Sequence, residues 1–113
     1  VRDDKERLLD ILDAIANIHG RLGSDRERFM GDELLQVWAV HHIQIIGEAC
    51  ARLSQEIRGR YLGVPWTDVI AMRNVLVHHY FGIDVQQIWA TVQADLPPLE
   101  QSVRQVLEAE FSP

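Results

Sequence analysis

Between Asp3 and Leu22 apolar residues recur at Leu8, Ile11, Leu12, Ile15, Ile18 and Leu22, with charged residues filling the intervening positions. That spacing of three and four predicts an amphipathic helix with one buried stripe and one solvated face. "GSDRERFMGD", residues 23–32, interrupts the pattern with glycines and cap-forming residues, and reads as a connection holding one helical turn. Asp32 then caps a second helix predicted over Glu33 to Ile57, in which Leu34, Leu35, Val37, Trp38, Val40, Ile43, Ile45, Ile46, Ala49, Leu53 and Ile57 cover most of the circumference. Such a helix belongs at the centre of a bundle. "RGRYLGVP", residues 58–65, is a glycine-punctuated loop, and Pro65 suits the first turn of a third helix running to about Tyr80, with Gly82 at its C-terminal cap. Asp84 caps a fourth helix carrying Val85, Ile88, Trp89, Val92 and Leu96. Pro97 and Pro98 then start or kink a fifth with Leu99, Val103, Val106 and Leu107 on its apolar side. No stretch alternates with a period of two. The expected fold is therefore all-α: an antiparallel four- to five-helix bundle forming one domain over residues 1–113.

Composition narrows the class without changing the fold. The chain has 113 residues, 47% hydrophobic and 25% charged, near the globular average, and no apolar run is long enough to span a bilayer. Its charged first segment, "VRDDKERLLD", lacks the apolar core of a signal peptide, so the expected setting is cytoplasmic and away from membranes. A single cysteine, Cys50, excludes an intramolecular disulfide framework and reads as a small core residue. The net charge of −6 argues against charge-driven binding to nucleic acid over the whole surface, so any such role must be local. The segment from Glu48 to Tyr80 is the least acidic, with Arg52, Arg58, Arg60 and Arg73 against Glu48, Glu56 and Asp68.

The third helix poses a problem in "MRNVLVHHYFG", residues 72–82, where Arg, Asn, two His and Tyr are threaded through apolar residues. Burying such groups unpaired costs about 1–3 kcal/mol each, and more for a charge. At about 100° per residue, Val69, Met72, Val75 and Leu76 share a core face with His79. Ile70, Val77 and Phe81 lie opposite, interleaved with Arg73, Asn74 and His78. A monomer does not need both sides buried, so the second side is expected to meet another chain or a ligand. Asn74 and His78 are i and i+4 neighbours, and Arg73 and Tyr80, seven apart, face nearly the same way. A fixed cation beside a group that titrates near neutral pH suits metal-free cleavage of an RNA phosphodiester. Histidine exchanges the proton with the 2′-hydroxyl or the leaving 5′-oxygen, and arginine stabilises charge on the phosphoryl oxygens. One histidine cannot easily do both jobs, and a two-fold homodimer with this helix near its axis would supply a second His78.

"RNVLVHHY" resembles the HEPN superfamily, specifically the HepT-like toxins that pair with minimal nucleotidyltransferase antitoxins. "IIGEACARL" (residues 45–53), "PWTDVIAMRNVLVHHYFGID" (65–84) and "IWATVQADLPPL" (88–99) follow the family's order and spacing and cover most of residues 45–99. The resemblance implies an all-α homodimer that cleaves tRNA or mRNA without metal or cofactor, as the toxin of a type II/VII-like toxin–antitoxin pair. Arg73 and His78 would be its active pair and Asn74 their support. It also implies a partner nucleotidyltransferase that silences the toxin by adenylylating the motif tyrosine, here Tyr80. His79 stands where many relatives carry a small residue, and the helical angles select His78 as the histidine of the cleft. The rival class is a non-catalytic helical module that positions or presents substrate to such a nucleotidyltransferase, which the acidic net charge favours.

Other polar residues admit two readings each. Glu48 either orients Arg73 as a buried partner or sits on the solvent side of the second helix, and a paired carboxylate would offset the cost of burying the arginine. Arg52, Arg58 and Arg60 either hold RNA phosphates beside the cleft or are ordinary solvated charges. His41 and His42 lack an accompanying ligand pattern, so no metal site is assigned and a surface or interhelical role is expected. His19 suits the dipole at the end of the first helix, and Trp38, Trp66 and Trp89 are expected as packing anchors.

Overall fold

The computed structural model of the chain describes residues 3–78 and 84–112, and the side chains of all of these except residues 73–78. Among the described residues every regular element is helical. The first helix, α1 (Asp4–Leu22), starts where Asp3 accepts a hydrogen bond from the Glu6 N–H. It stops at Gly23, whose φ of 57° lies in the left-handed region that glycine adopts without penalty, and whose N–H closes onto the His19 carbonyl. The expected turn within residues 23–32 is α2 (Arg26–Met30), capped by Asp25. Asp32 caps α3 (Glu33–Arg52) as anticipated, accepting from the Leu34 and Leu35 N–H groups.

Two boundaries depart from expectation. The second helix does not run to Ile57: Leu53 and Ser54 are extended, and Ser54 caps a separate short helix, α4 (Gln55–Arg60), by accepting from the Ile57 N–H. The Asp4 carboxylate fixes this break, accepting from the Ser54 N–H at 2.8 Å and from its hydroxyl at 2.6 Å. Hydrophobic periodicity continues through residues 53–57, so a side-chain cap, not the apolar pattern, sets the helix end. As a result Arg58, Gly59 and Arg60 are helical and not part of a loop.

Pro97 and Pro98 start the fifth predicted helix as expected, and the second departure is that no interruption precedes them. After α5 (Trp66–His78), Asp84 caps α6 (Val85–Ala90), which passes through a π-helical turn at Thr91–Asp95 directly into α7 (Leu96–Phe111). Pro97 and Pro98 sit in the first positions of α7, where a missing N–H leaves least unsatisfied. The wider turn lets the Leu96 N–H reach the Thr91 carbonyl, so the chain crosses the prolines without a break. The Gln93 side chain of that turn donates to the Gly23 carbonyl, and His19 Nε2 lies 3.1 Å from the Val92 carbonyl, which ties the turn to the end of α1.

The core forms between α1 and α3, with α5 packed on α3 and α7 on α1. Leu8, Ile11, Ile15 and Ile18 meet Ile43 and Ile46 with no exposed surface, and Val103 joins them from α7. Removing any of these to Ala costs about 2–5 kcal/mol in a packed interior. Trp38 donates to the Asn17 carbonyl and carries the Arg21 guanidinium 4.5 Å above its ring, Trp66 donates to the Tyr61 carbonyl, and Trp89 packs on Phe29. These are the expected anchors. No helix among the described residues is long and apolar enough to cross a membrane.

Candidate functional site

Helix α5 carries Arg73, Asn74 and His78, and its seat on α3 determines where they stand. Pro65 accepts from the Val69 N–H as the helix starts, and Trp66 and Val69, buried at 4% and 8% exposure, fasten its first turns to the core. Along an α-helix, five residues separate Arg73 from His78 by about 7.5 Å of rise and about 140° of rotation. The Arg73, Asn74 and His78 side chains, and Tyr80 altogether, lie outside the described residues, as does the proposed Gly82 cap.

The remaining expected residues are described. Glu48, on α3, is half-exposed and receives the Arg52 Nε at 2.6 Å, one helical turn on. Exposed pairs of this kind contribute little to stability, but they hold both side chains in place. Any Glu48–Arg73 contact lies outside the described residues. Arg60 reaches across to α7 and pairs with Glu110, while Glu56 stands 4.0 Å away. The hydrogen bond to Glu110, then its charge, holds the Arg60 guanidinium above the usual arginine range. Arg58 differs. It is partly buried, its Nε is out of contact with water and has no hydrogen-bond partner, and it forms none of these ion pairs. Its charge acts on Cys50, whose thiol is buried completely and pushed up to about 12 by that burial, against the lowering influence of Arg58. A thiol held neutral in this way is packing, not a nucleophile.

His42 is buried, with Nδ1 2.9 Å from the Trp38 carbonyl, and His41 is exposed with its ring edge-on to His42. Among the described residues no three His, Cys, Asp or Glu side chains gather as a metal would require. Two cavities flank the start of α5, and neither was visible in the sequence. One, of about 490 Å³, lies between α5 and the π-turn region, lined by Asp68, Val69 and Met72 against Gln87, Thr91 and Leu99. The other, of about 380 Å³, lies between α4 and the first turn of α5 and is lined by Arg58, Leu62, Thr67 and Asp68. The first unites segments far apart in the chain; the second is built within residues 55–68, by the fold of α4 against the start of α5.

Among the described residues the chain is all-helical, with the helix that carries Arg73, Asn74 and His78 in its sequence packed on α3, which is compatible with the all-α fold anticipated for HEPN-like proteins. A family model described as Ribonuclease HepT-like matches residues 11–106, and the chain belongs to that family. A protein named "Probable ribonuclease HepT" from Thermococcus cleftensis is 34% identical over 100 residues, covering 88% of this chain and 91% of its own. "Putative RNase TTE0752" of Caldanaerobacter subterraneus subsp. tengcongensis is 38% identical over 88 residues, 78% of this chain and 79% of its own. "Putative RNase MJ1380" of Methanocaldococcus jannaschii is 32% identical over 103 residues, 90% and 94% of the two chains. No solved structure matches.

Proposed function

We propose that the protein is a metal-independent endoribonuclease, the toxin of a toxin–antitoxin pair, with Arg73 and His78 as its catalytic residues. The observation that carries this reading is the Arg73–His78 register on a helix docked to the core, in a chain of the Ribonuclease HepT-like family. Two chains related by a two-fold axis would bring two His78 imidazoles to one phosphodiester. One imidazole takes the proton of the ribose 2′-hydroxyl, whose oxygen attacks phosphorus. The other, protonated, gives its proton to the departing 5′-oxygen, leaving a 2′,3′-cyclic phosphate and a 5′-hydroxyl. Arg73 offsets charge on the phosphoryl oxygens as the pentacoordinate state forms, and Asn74 holds the arrangement. Adenylylation of Tyr80 by a cognate nucleotidyltransferase would place a bulky anion next to this pair and repel the RNA backbone, which accounts for neutralisation by the antitoxin.

The test is cleavage of bulk tRNA and mRNA by the purified chain in EDTA. Wild type is expected to give cyclic-phosphate ends, and His78→Ala or Arg73→Ala to lose at least a hundredfold in rate, the usual contribution of a general acid–base or charge-stabilising group. Undiminished cleavage by His78→Ala removes the assignment. The net charge of −6 favours one other reading, a non-catalytic module that positions or presents substrate to the nucleotidyltransferase, which predicts no cleavage by wild type.

A further inference from the structure

The larger of the two cavities, about 490 Å³, has the size and the mixed walls of a small-ligand pocket. Val69, Met72, Leu96 and Leu99 give it apolar sides, and none of the described residues that line it is basic, so it is not built for a phosphate. Its polar groups come mainly from the π turn, a helix irregularity that recurs at functional sites. Thr91 is 3% exposed; its hydroxyl accepts from the Gln87 amide at 3.4 Å and donates to no described residue, which leaves a buried proton unspent on the cavity wall. Asp95 is unspent for a reason written in the sequence. At the starts of α1, α2, α3 and α6 the capping Asp accepts from backbone N–H groups two or three residues on. The same positions after Asp95 are Pro97 and Pro98, which have no N–H, and the Asp95 side chain caps nothing. The pocket also adjoins the candidate active pair: Val69 and Met72 stand four and one residues before Arg73, and His78 lies about 9 Å beyond Met72 along the helix axis.

We propose that this cavity is a guanine subsite, which takes one base of the RNA strand close to the bond being cut and reads it through Asp95. A carboxylate only accepts, and guanine alone among the RNA bases offers it two neighbouring N–H donors on one edge, N1–H and the 2-amino group. Adenine and cytosine place a ring-nitrogen acceptor beside their amino group, and uracil flanks its N–H with two carbonyls, so each of them turns a lone pair towards Asp95. Guanine O6 and N7 accept in return from the Thr91 hydroxyl and the Gln87 amide, and the ring lies between the apolar sides. Asp68, exposed on the α5 side of the cavity, adds a second carboxylate that keeps phosphate outside and admits the base alone. That the guanine belongs to RNA rests on the ribonuclease reading; the choice of guanine rests on the cavity and its unspent groups.

The experiment is fluorescence anisotropy with labelled 2′-O-methyl oligouridine strands, which cannot be cut, carrying one guanosine, one inosine or neither. The guanosine strand is expected to bind about tenfold more tightly than the inosine strand, which lacks only the 2-amino group, and than the all-uridine strand, as befits a lost hydrogen bond to a charged group. Asp95→Asn, at an exposed position that caps nothing, should bring the three strands within twofold of one another. Ala94→Phe, which fills the cavity from an exposed position, should do the same. Equal affinities for the three strands in wild type overturn the proposal, and so does a guanosine preference that survives either substitution. Free GMP that competes as well as the guanosine strand overturns RNA as the source of the base. Cleavage of natural RNA separates this proposal from the reading beneath it. Cuts at a fixed distance from guanosines in wild type, scattered in Asp95→Asn, uphold both. A guanosine preference without any cleavage upholds the subsite and overturns the ribonuclease reading, and cleavage without a guanosine preference does the reverse.

Discussion

Burial changes the chemistry of Cys50 more than its sequence neighbours suggest. Its thiol has no exposed surface and titrates near 12, above the ordinary value of 9.0, because the thiolate would lose its water. The folded state therefore holds the Cys50 proton more tightly than the unfolded chain does. The resulting stability is fully present below the unfolded pKa and is lost as pH rises from about 9 towards 12. Denaturation midpoints of wild type should fall across that window more steeply than those of Cys50→Ala, and a thiol reagent at pH 8 should label Cys50 only after denaturant is added. Rapid labelling of the native protein would contradict the burial. The sequence already placed this residue in the core, because its neighbours Ile46, Ala49 and Leu53 repeat at helical spacing. It did not disclose that Arg58 would come close enough to act on the thiol, since the two are brought together only by the turn between α3 and α4.

At the scale of elements, helix starts were far more legible than helix ends. Asp32 and Asp84 cap where the sequence expected them to, an acidic residue ahead of an apolar repeat and a purely local device, and Asp3 and Asp25 cap α1 and α2 by the same bond. The α3–α4 break was hidden because its cause is fifty residues away, in the Asp4 carboxylate that accepts two hydrogen bonds from Ser54. The continuity through Pro97 and Pro98 was hidden because proline is ordinarily a stop, and a π turn that absorbs its missing donors leaves no local signature. The break makes a measurable demand. Ser54→Ala removes a cap and one bond to Asp4, and Asp4→Ala leaves the Ser54 N–H without its acceptor in a partly buried place. Each should lower unfolding free energy by about 1–2 kcal/mol. Because they share one network, the double variant should lose less than the sum, with a coupling of at least about 0.5 kcal/mol in urea melts. Strict additivity would show that the helix ends at Arg52 for some other reason.

For the whole molecule the decisive question is why α5 carries apolar and polar residues on both sides when one side suffices to join it to α3. The sequence exposes this excess plainly, and the resemblance of residues 45–99 to HepT-like toxins supplies the partner that would cover it, a second copy of the chain. A site shared between two chains gives activity a distinctive dependence on composition. Wild type and His78→Ala chains, mixed one to one and allowed to exchange, pair at random, so only about a quarter of dimers carry two intact histidines. If both imidazoles serve one phosphodiester, cleavage per total chain should fall to about a quarter of the all-wild-type value, where independent sites would leave about half. Dilution should act in the same direction, with specific activity dropping once the chain falls below its dimer dissociation constant and sedimentation moving from dimer to monomer over the same range. Activity that follows wild-type fraction linearly, at a concentration where the chain sediments as a monomer, would place the whole reaction within one subunit and leave the second face of α5 for a different partner.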